Sequence, residues 1–153
     1  MLIWDHKLTW KKPLYDLQIW LVKTFTQSSY SHVGVAYWVN NRLFTIDATG
    51  IGVALRPLSE DKPDFLLRRP KQLSEVSIDW SFQKIGQHYS KWQAIMAYLG
   101  KLKGGSDSKW ECAEFVNLTY RTDEEHFNSL TPSKIIDEAM SKWNADLIKI
   151  EHT

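Results

Sequence analysis

Short apolar runs separated by turn signals occupy the chain between residues 30 and 70, and their spacing is typical of β-strands. The segment HVGVAYWV, residues 32–39, is rich in β-branched and aromatic types, which favour strands. Asn40 and Asn41 follow it as a two-residue turn signal, so the next apolar run is predicted to pair with it as a hairpin. The predicted strands are residues 32–39, 42–47, 51–56 and 65–67.

Farther along the chain the apolar period changes from about two to about 3.6, which predicts helices. A helix is also predicted near the start, where leucine and phenylalanine follow Pro13 at helical spacing. The predicted helices are residues 13–25, 74–85, 111–121 and 131–143, with another beginning at Ser90, and residues 145–150 form a short strand. Strands that come first and helices that come second predict an α+β fold, in which an antiparallel sheet packs against helices.

The composition narrows the functions open to this chain of 153 residues, whose length fits a single domain over residues 1–153. A net charge of +1 without a basic block excludes nucleic-acid capture as the leading function. The single cysteine excludes an internal disulfide and a zinc site of several thiolates. Neither a glycine-rich phosphate loop nor a zinc-helix spacing is present, so no cofactor or metal is predicted.

Other features of the sequence bear on where the chain is found. Charges at residues 5–7 interrupt the N-terminal stretch, and every apolar run is shorter than ten residues, so neither a signal peptide nor a transmembrane segment is predicted. A lone thiol suits a reducing compartment, so the chain is expected to be cytoplasmic when it is made. Eight Trp, six Tyr and six Phe residues favour a well-packed core or an aromatic-lined groove.

Cys112 is the candidate nucleophile, because it follows a glycine- and serine-rich loop and lies in the first turn of the predicted helix 111–121. There the helix dipole favours a thiolate, and backbone N–H groups can face an oxyanion. A catalytic Cys112 is accordingly expected to be partly exposed, with a lowered pKa. The alternative is a small buried hydrophobe, which is the usual state of a free cysteine on an apolar helix stripe.

His32 is the candidate general base, because it stands at the start of the best predicted strand and a rigid element would position it. His126, by contrast, lies in a polar run that is typical of a solvated loop. Asp47 ends the next predicted strand, and a hairpin turning near residues 40–41 brings it close enough to His32 to orient the ring. Asp47 is equally able to cap the turn over residues 48–50.

Five short parts of the chain form an ordered set. They are Tyr30-Ser31-His32-Val33-Gly34, then Phe44-Thr45-Ile46-Asp47-Ala48 with Gly52-Val53 and Pro57-Leu58, then Ile85-Gly86-Gln87-His88-Tyr89, then Glu111-Cys112-Ala113-Glu114-Phe115-Val116, then Thr131-Pro132-Ser133. The set resembles the circularly permuted NlpC/P60 group, the YiiX/YaeF-like branch of papain-like thiol hydrolases, over about residues 28–150. In that group the histidine precedes the cysteine, as His32 precedes Cys112. The third member is often Glu or His in relatives, and here it would be Asp47.

The resemblance implies a permuted papain-like fold and a cysteine-dependent amide or ester hydrolase that works through an acyl-enzyme. In this scheme Cys112 is the nucleophile, His32 the base and Asp47 the orienting acid. Tyr89 and Tyr30 would lie near the substrate, although Tyr89 fits a half-buried core position equally well. Members of the group act on peptidoglycan peptides, other isopeptide-like amides or lipid acyl groups, so a peptide, isopeptide or acyl substrate is expected.

Two alternatives to a hydrolase remain open at this stage. One is a catalytically silent binding or interaction module on the same fold, with the aromatic residues lining a recognition groove. The other is a lipid acyltransferase, which an exposed apolar helix or a membrane anchor would favour. Because no signal peptide is predicted, a wall-directed enzyme would need another route, such as association with a phage particle or release on lysis.

Overall fold

The computed structural model describes residues 1–5, 20, 30–60, 62–89, 109–123, 127–128 and 131–151. The helix predicted over residues 13–25 lies outside the described residues except at Trp20. The helix predicted from Ser90 and the loop residue His126 lie outside them entirely. The remaining predicted strands and helices fall within the described ranges.

The described residues form an α+β fold built on an antiparallel six-stranded sheet, which confirms the predicted α+β class. The strand order across this sheet is β4-β3-β2-β1-β5-β8, and each neighbouring pair is antiparallel. A separate pair, β6 and β7, is parallel. The strands are β1 Leu2–Trp4, β2 His32–Val39, β3 Arg42–Thr49, β4 Gly52–Pro57, β5 Phe65–Arg68, β6 His88–Tyr89, β7 Lys109–Trp110 and β8 Asp146–Lys149.

The β2–β3 hairpin forms where the alternating pattern predicts it. Asn40 and Asn41 have φ values of 48° and 61°, and this left-handed conformation at both positions matches the tight turn that twisted strands require. The hydrogen-bonded ladder of the hairpin ends at the pair Val35–Ile46, although β2 begins earlier and β3 continues further. The hairpin is therefore open beyond this pair.

Three helices are described beside the sheet, and each begins within two residues of its predicted start. They are α1 Glu75–Gln83, α2 Cys112–Arg121 and α3 Pro132–Trp143. Ser74 caps α1, because its side chain accepts a hydrogen bond from the Ser77 N–H at 3.2 Å. Pro132 opens α3, where the missing N–H of proline has no cost. Asn144 ends α3 in a left-handed conformation with φ of 48°.

The core lies between these helices and one face of the sheet. Val33, Val35 and Ile46 contribute fully buried side chains from β2 and β3. Phe115 of α2 and Ile135 of α3 are also fully buried in the same cluster. Burial of large apolar side chains stabilises a fold by about 1.5–3 kcal/mol each, so this cluster fixes α2 against the hairpin.

A buried acid ties the helices to the end of β5. Asp123, just after α2, accepts hydrogen bonds from the Arg69 guanidinium at 2.8 Å, the Ser74 N–H at 3.1 Å and the Ser77 hydroxyl at 2.8 Å. Burial opposes ionisation, but hydrogen bonds from Ser74, Arg69 and Ser77 outweigh it and lower the pKa of Asp123 to about 2. The start of α1 and the end of α2 are therefore held at a common point.

The other face of the sheet carries the candidate histidine. Side chains alternate along a strand, so His32 and Gly34 lie on the opposite side of β2 from Val33 and Val35. Trp4 of β1 pairs with His32 through the backbone, and its ring packs against the imidazole with centroids 4.9 Å apart. The imidazole is therefore held on a strand and braced by an aromatic ring.

Candidate active site

The structure brings His32 and Asp47 together at the open end of the hairpin. The Nε2 atom of His32 lies 2.5 Å from Oδ2 of Asp47, whose side chain is fully buried. An ionised carboxylate only accepts hydrogen bonds, so Nε2 carries a proton, and in the neutral ring Nδ1 is the acceptor nitrogen. This tautomer leaves Nδ1 as the atom that can take a proton from a nucleophile.

Arg56 of β4 binds the same carboxylate. Its Nη2 lies 2.8 Å from Oδ1 and 2.7 Å from Oδ2 of Asp47. Burial raises the pKa of the Asp47 carboxyl, but the hydrogen bonds and charges of His32 and Arg56 outweigh burial and hold the pKa below its ordinary value. Asp47 is therefore a buried carboxylate that stays ionised and can orient the ring.

Gly34 leaves the space that Asp47 occupies. A Cβ added at Gly34 would lie 2.9 Å from Cβ of Asp47, 2.9 Å from Oγ1 of Thr45 and 3.3 Å from the Trp4 ring. The Asp47 side chain thus starts directly beside the glycine backbone and reaches past it to His32. A larger residue at position 34 would compete with Asp47 for this space.

Replacing Gly34 by alanine is expected to destabilise the fold by about 1–3 kcal/mol, because overpacking forces neighbouring groups to shift. Urea unfolding measures this change. Gly50→Ala is the matched control, since a Cβ added at Gly50 meets nothing within 4 Å. Equal stability of the two variants would contradict the tight packing at Gly34.

Cys112 is the first residue of α2 and is almost completely buried, with 2% of its surface exposed. Its Sγ donates a hydrogen bond to Oε1 of Glu111 at 3.4 Å, and the backbone N–H of Val33 lies close enough to the thiol to lower its pKa. Val33 belongs to the part of β2 beyond the last ladder pair with β3, so the sulfur lies at the open end of the hairpin. The thiol therefore contacts the residue next to His32.

In the described part of the chain, the thiol donates its hydrogen bond to Glu111 rather than to the His32 ring. The side-chain hydrogen bond of His32 goes to Asp47. A direct Cys112–His32 pair thus stays a prediction. The thiol lies near Val33, the residue next to His32, while alternation along β2 directs the His32 ring away from the core side.

The environment of the thiol differs from the expected exposed cysteine of low pKa. Burial has the largest effect and raises the pKa of Cys112 well above its ordinary value, and the Glu111 carboxyl raises it further. The nearby Val33 N–H lowers the pKa by a smaller amount. The helix dipole favours a thiolate at this position, but burial and an adjacent acid dominate.

Glu111 is a site residue that the sequence pattern did not reveal. Its carboxyl is buried, with 1% of the residue exposed, and accepts hydrogen bonds from the Ala113 N–H at 3.0 Å and the Glu114 N–H at 2.9 Å. Burial raises the pKa of Glu111, although these two N–H groups act in the opposite direction. The available signal was its position at the start of the predicted helix 111–121, where acidic side chains cap helices.

Of the two predicted substrate residues, Tyr30 lies two residues before His32, and Tyr89 lies between Asp47 and Cys112 in the sequence. Tyr30 precedes β2 and packs edge-on against Phe65, with ring centroids 5.8 Å apart. Tyr89 belongs to β6, where its backbone pairs with Trp110 of β7, two residues before Cys112. Contact of either tyrosine with a substrate stays a prediction. Within the described ranges, histidine, cysteine and carboxylate side chains form no group of three arranged to hold a metal ion.

Comparison of the chain with protein-family models and with curated proteins gives no match. The resemblance to the permuted NlpC/P60 group therefore rests on the sequence motifs alone. None of the helices in the described part of the chain combines the length and apolarity that a membrane span requires.

Proposed function

We propose that this protein is a cysteine-dependent hydrolase of amides or esters, with Cys112 as nucleophile, His32 as general base and Asp47 as the residue that orients His32. One observation carries the proposal. The His32 ring is bonded through Nε2 to a buried, ionised carboxylate, and the backbone N–H of the next residue of the strand, Val33, lies close enough to the Cys112 thiol to lower its pKa. Thiol acyl transfer needs a histidine with a fixed tautomer as the base for a thiol at a helix start, and Val33 connects these two groups through the strand.

The reaction follows from the groups present. The thiol proton passes to Nδ1 of His32, and the Cys112 sulfur attacks the carbonyl carbon of the substrate. The oxyanion that forms faces the N-terminal end of α2, where backbone N–H groups are directed. His32 then gives its proton to the departing amine or alcohol, and the acyl group stays bonded to the Cys112 sulfur. Water next attacks this acyl group and releases it as a carboxylic acid, which restores the thiol.

The proposal extends to the fold and to the setting of the protein. A histidine on a strand that precedes the cysteine helix supports a permuted papain-like arrangement of the α+β fold. The substrate is then a peptide, an isopeptide or an acyl ester, with cell-wall peptides as one class. A wall-directed role is compatible with association with a larger assembly such as a phage particle, or with release on lysis.

A second candidate is a binding module that keeps the fold without the activity. The burial of Cys112 and its raised pKa favour this reading, because a nucleophilic thiol must be reached by substrate and must ionise. The intact His32–Asp47–Arg56 chain favours the hydrolase, since a silent module has no need of an ordered imidazole.

Hydrolysis of a p-nitrophenyl ester and of purified cell-wall stem peptides tests the proposal. We expect the wild-type protein to cleave at least one of them, and Cys112→Ala to lose at least about 100-fold in rate, because covalent catalysis requires the thiol. Met140→Ala is the control, since it removes an exposed sulfur-containing side chain on α3. Retained activity in Cys112→Ala would refute the thiol mechanism, and inactivity of the wild type on both substrates would favour the binding module.

A further inference from the structure

The hydrogen bonds of the Glu111 carboxyl group in the described part of the structure all involve atoms in the first turn of α2, the turn that carries Cys112. Its Oε1 accepts from both the Cys112 thiol at 3.4 Å and the Ala113 N–H at 3.0 Å, while Oε2 accepts from the Glu114 N–H at 2.9 Å. Backbone N–H groups at the start of a helix are the donors that an oxyanion would use. The Glu111 side chain therefore accepts hydrogen bonds both from the thiol and from two of the N–H groups that would stabilise the oxyanion in the proposed reaction.

We propose that Glu111 is a positioning residue that holds Cys112 in a resting, protonated state and must turn away before the thiol can transfer its proton to His32. The inference rests on the proposed hydrolase and deepens it. With Glu111 in place the thiol donates to a carboxylate oxygen, so it cannot donate to Nδ1 of His32 at the same time. Rotation of Glu111 releases the thiol and uncovers two helix N–H groups together.

Charges around the thiol act in the same direction. Glu111, the N-cap of α2, adjoins Cys112 and disfavours the thiolate, as does Asp47 of β3. His32 of β2 interacts favourably with the Glu111 carboxylate, and Glu114 is a further acid in the first turn of α2. Of these groups, Glu111 is the carboxyl in hydrogen-bond contact with the sulfur, so its removal should change thiol ionisation most.

Alkylation of the native protein by iodoacetamide, followed by mass spectrometry over pH 6–10, tests the proposal without a substrate. Glu111→Gln removes the charge and keeps the shape, while Glu111→Ser keeps a helix cap and withdraws the carboxyl from the sulfur. We expect both variants to label Cys112 at least about tenfold faster than wild type at pH 7, and their rate profiles to shift to lower pH by about one unit, which is a tenfold change in thiolate fraction.

Glu114→Gln is the matched control, because it also removes a buried first-turn acid of α2. Its profile should stay close to that of the wild type. Thermal unfolding of each variant shows whether faster labelling of Cys112 arises from unfolding. If Glu111→Gln disrupts the helix cap, Glu111→Ser still tests the proposal. Unchanged or slower labelling in folded Glu111 variants, or equal acceleration by Glu114→Gln, would overturn the proposal.

The alkylation result and the proposed function can fail separately. Faster labelling in Glu111→Gln without hydrolysis by any variant would support the restraining role and reject the hydrolase. Hydrolysis by wild type that depends on Cys112, with unchanged labelling in the Glu111 variants, would support the hydrolase and reject the restraining role.

Discussion

Replacement of Asp47 by asparagine is expected to lower the hydrolytic rate by about 10³–10⁴-fold, because an amide no longer fixes the ring tautomer or stabilises the imidazolium that forms during the reaction. The variant should also lose stability, about 2 kcal/mol, since Arg56 loses a charged hydrogen-bond partner that it contacts at 2.7 and 2.8 Å. Rates on the ester substrate and guanidinium chloride unfolding measure the two effects.

The stability difference should depend on pH with a defined sign. The pKa of Asp47 is below its ordinary value in the folded protein, so its contribution is complete above about pH 4 and is lost as the pH falls through the lowered pKa. Asp146→Asn is the matched control, because Asp146 also contacts an arginine, Arg68, at 2.7 Å but on the exposed surface. Exposed ion pairs contribute about 0–1 kcal/mol. If the Asp47→Asn protein were as active as the Asp146→Asn protein, Asp47 would not be part of the proposed catalytic centre.

Replacement of Phe115 by alanine is expected to cost about 3–5 kcal/mol of unfolding free energy, because it removes a fully buried ring and leaves a cavity. Phe115 lies on α2 one turn after Cys112 and stacks on Trp80 of α1, with ring centroids 5.9 Å apart. A small domain has about 5–15 kcal/mol of stability in total, so the loss is a large share. Thermal and guanidinium chloride unfolding measure it.

Phe82→Ala is the control for this change. Phe82 is 36% exposed and makes an edge-on contact with Tyr37, so its removal creates less buried cavity. We expect it to cost clearly less than Phe115→Ala. If the two variants lost equal stability, the packing of Phe115 between α1 and the sheet would not be the main support of α2.

Local patterns predicted the β2–β3 hairpin and the three described helices within two residues of their bounds. They did so because asparagine turns, helix starts and apolar periods are short-range signals. The strand β1 was missed, since Leu2–Trp4 has too few residues to show a period and its burial comes from pairing with β2 and β5. The two-residue strands β6 and β7 were missed for the same reason.

The candidate site likewise has some contacts that the sequence predicts and others that it does not. Proximity of His32 and Asp47 follows from counting residues around the hairpin turn. Arg56 was missed because its contact with Asp47 needs the β3–β4 register, which pairs Thr45 with Arg56 and Asp47 with Ala54. The burial of Cys112 and the role of Glu111 depend on how α2 packs against the sheet, and no local sequence signal reports that depth.

The position of β1 has a consequence for the order of folding. Residues 2–4 of β1 lie at the middle of the sheet, between β2 and β5, and pair there with residues 32–34 and 65–66. Loop closure over long separations slows folding, whereas the β2–β3–β4 meander closes through short turns. We therefore expect the β2–β3–β4 meander to form early and the complete sheet to form late, when β1 inserts between β2 and β5. Mutations in β1 should slow the final step of refolding more than mutations at the Asn40–Asn41 turn do.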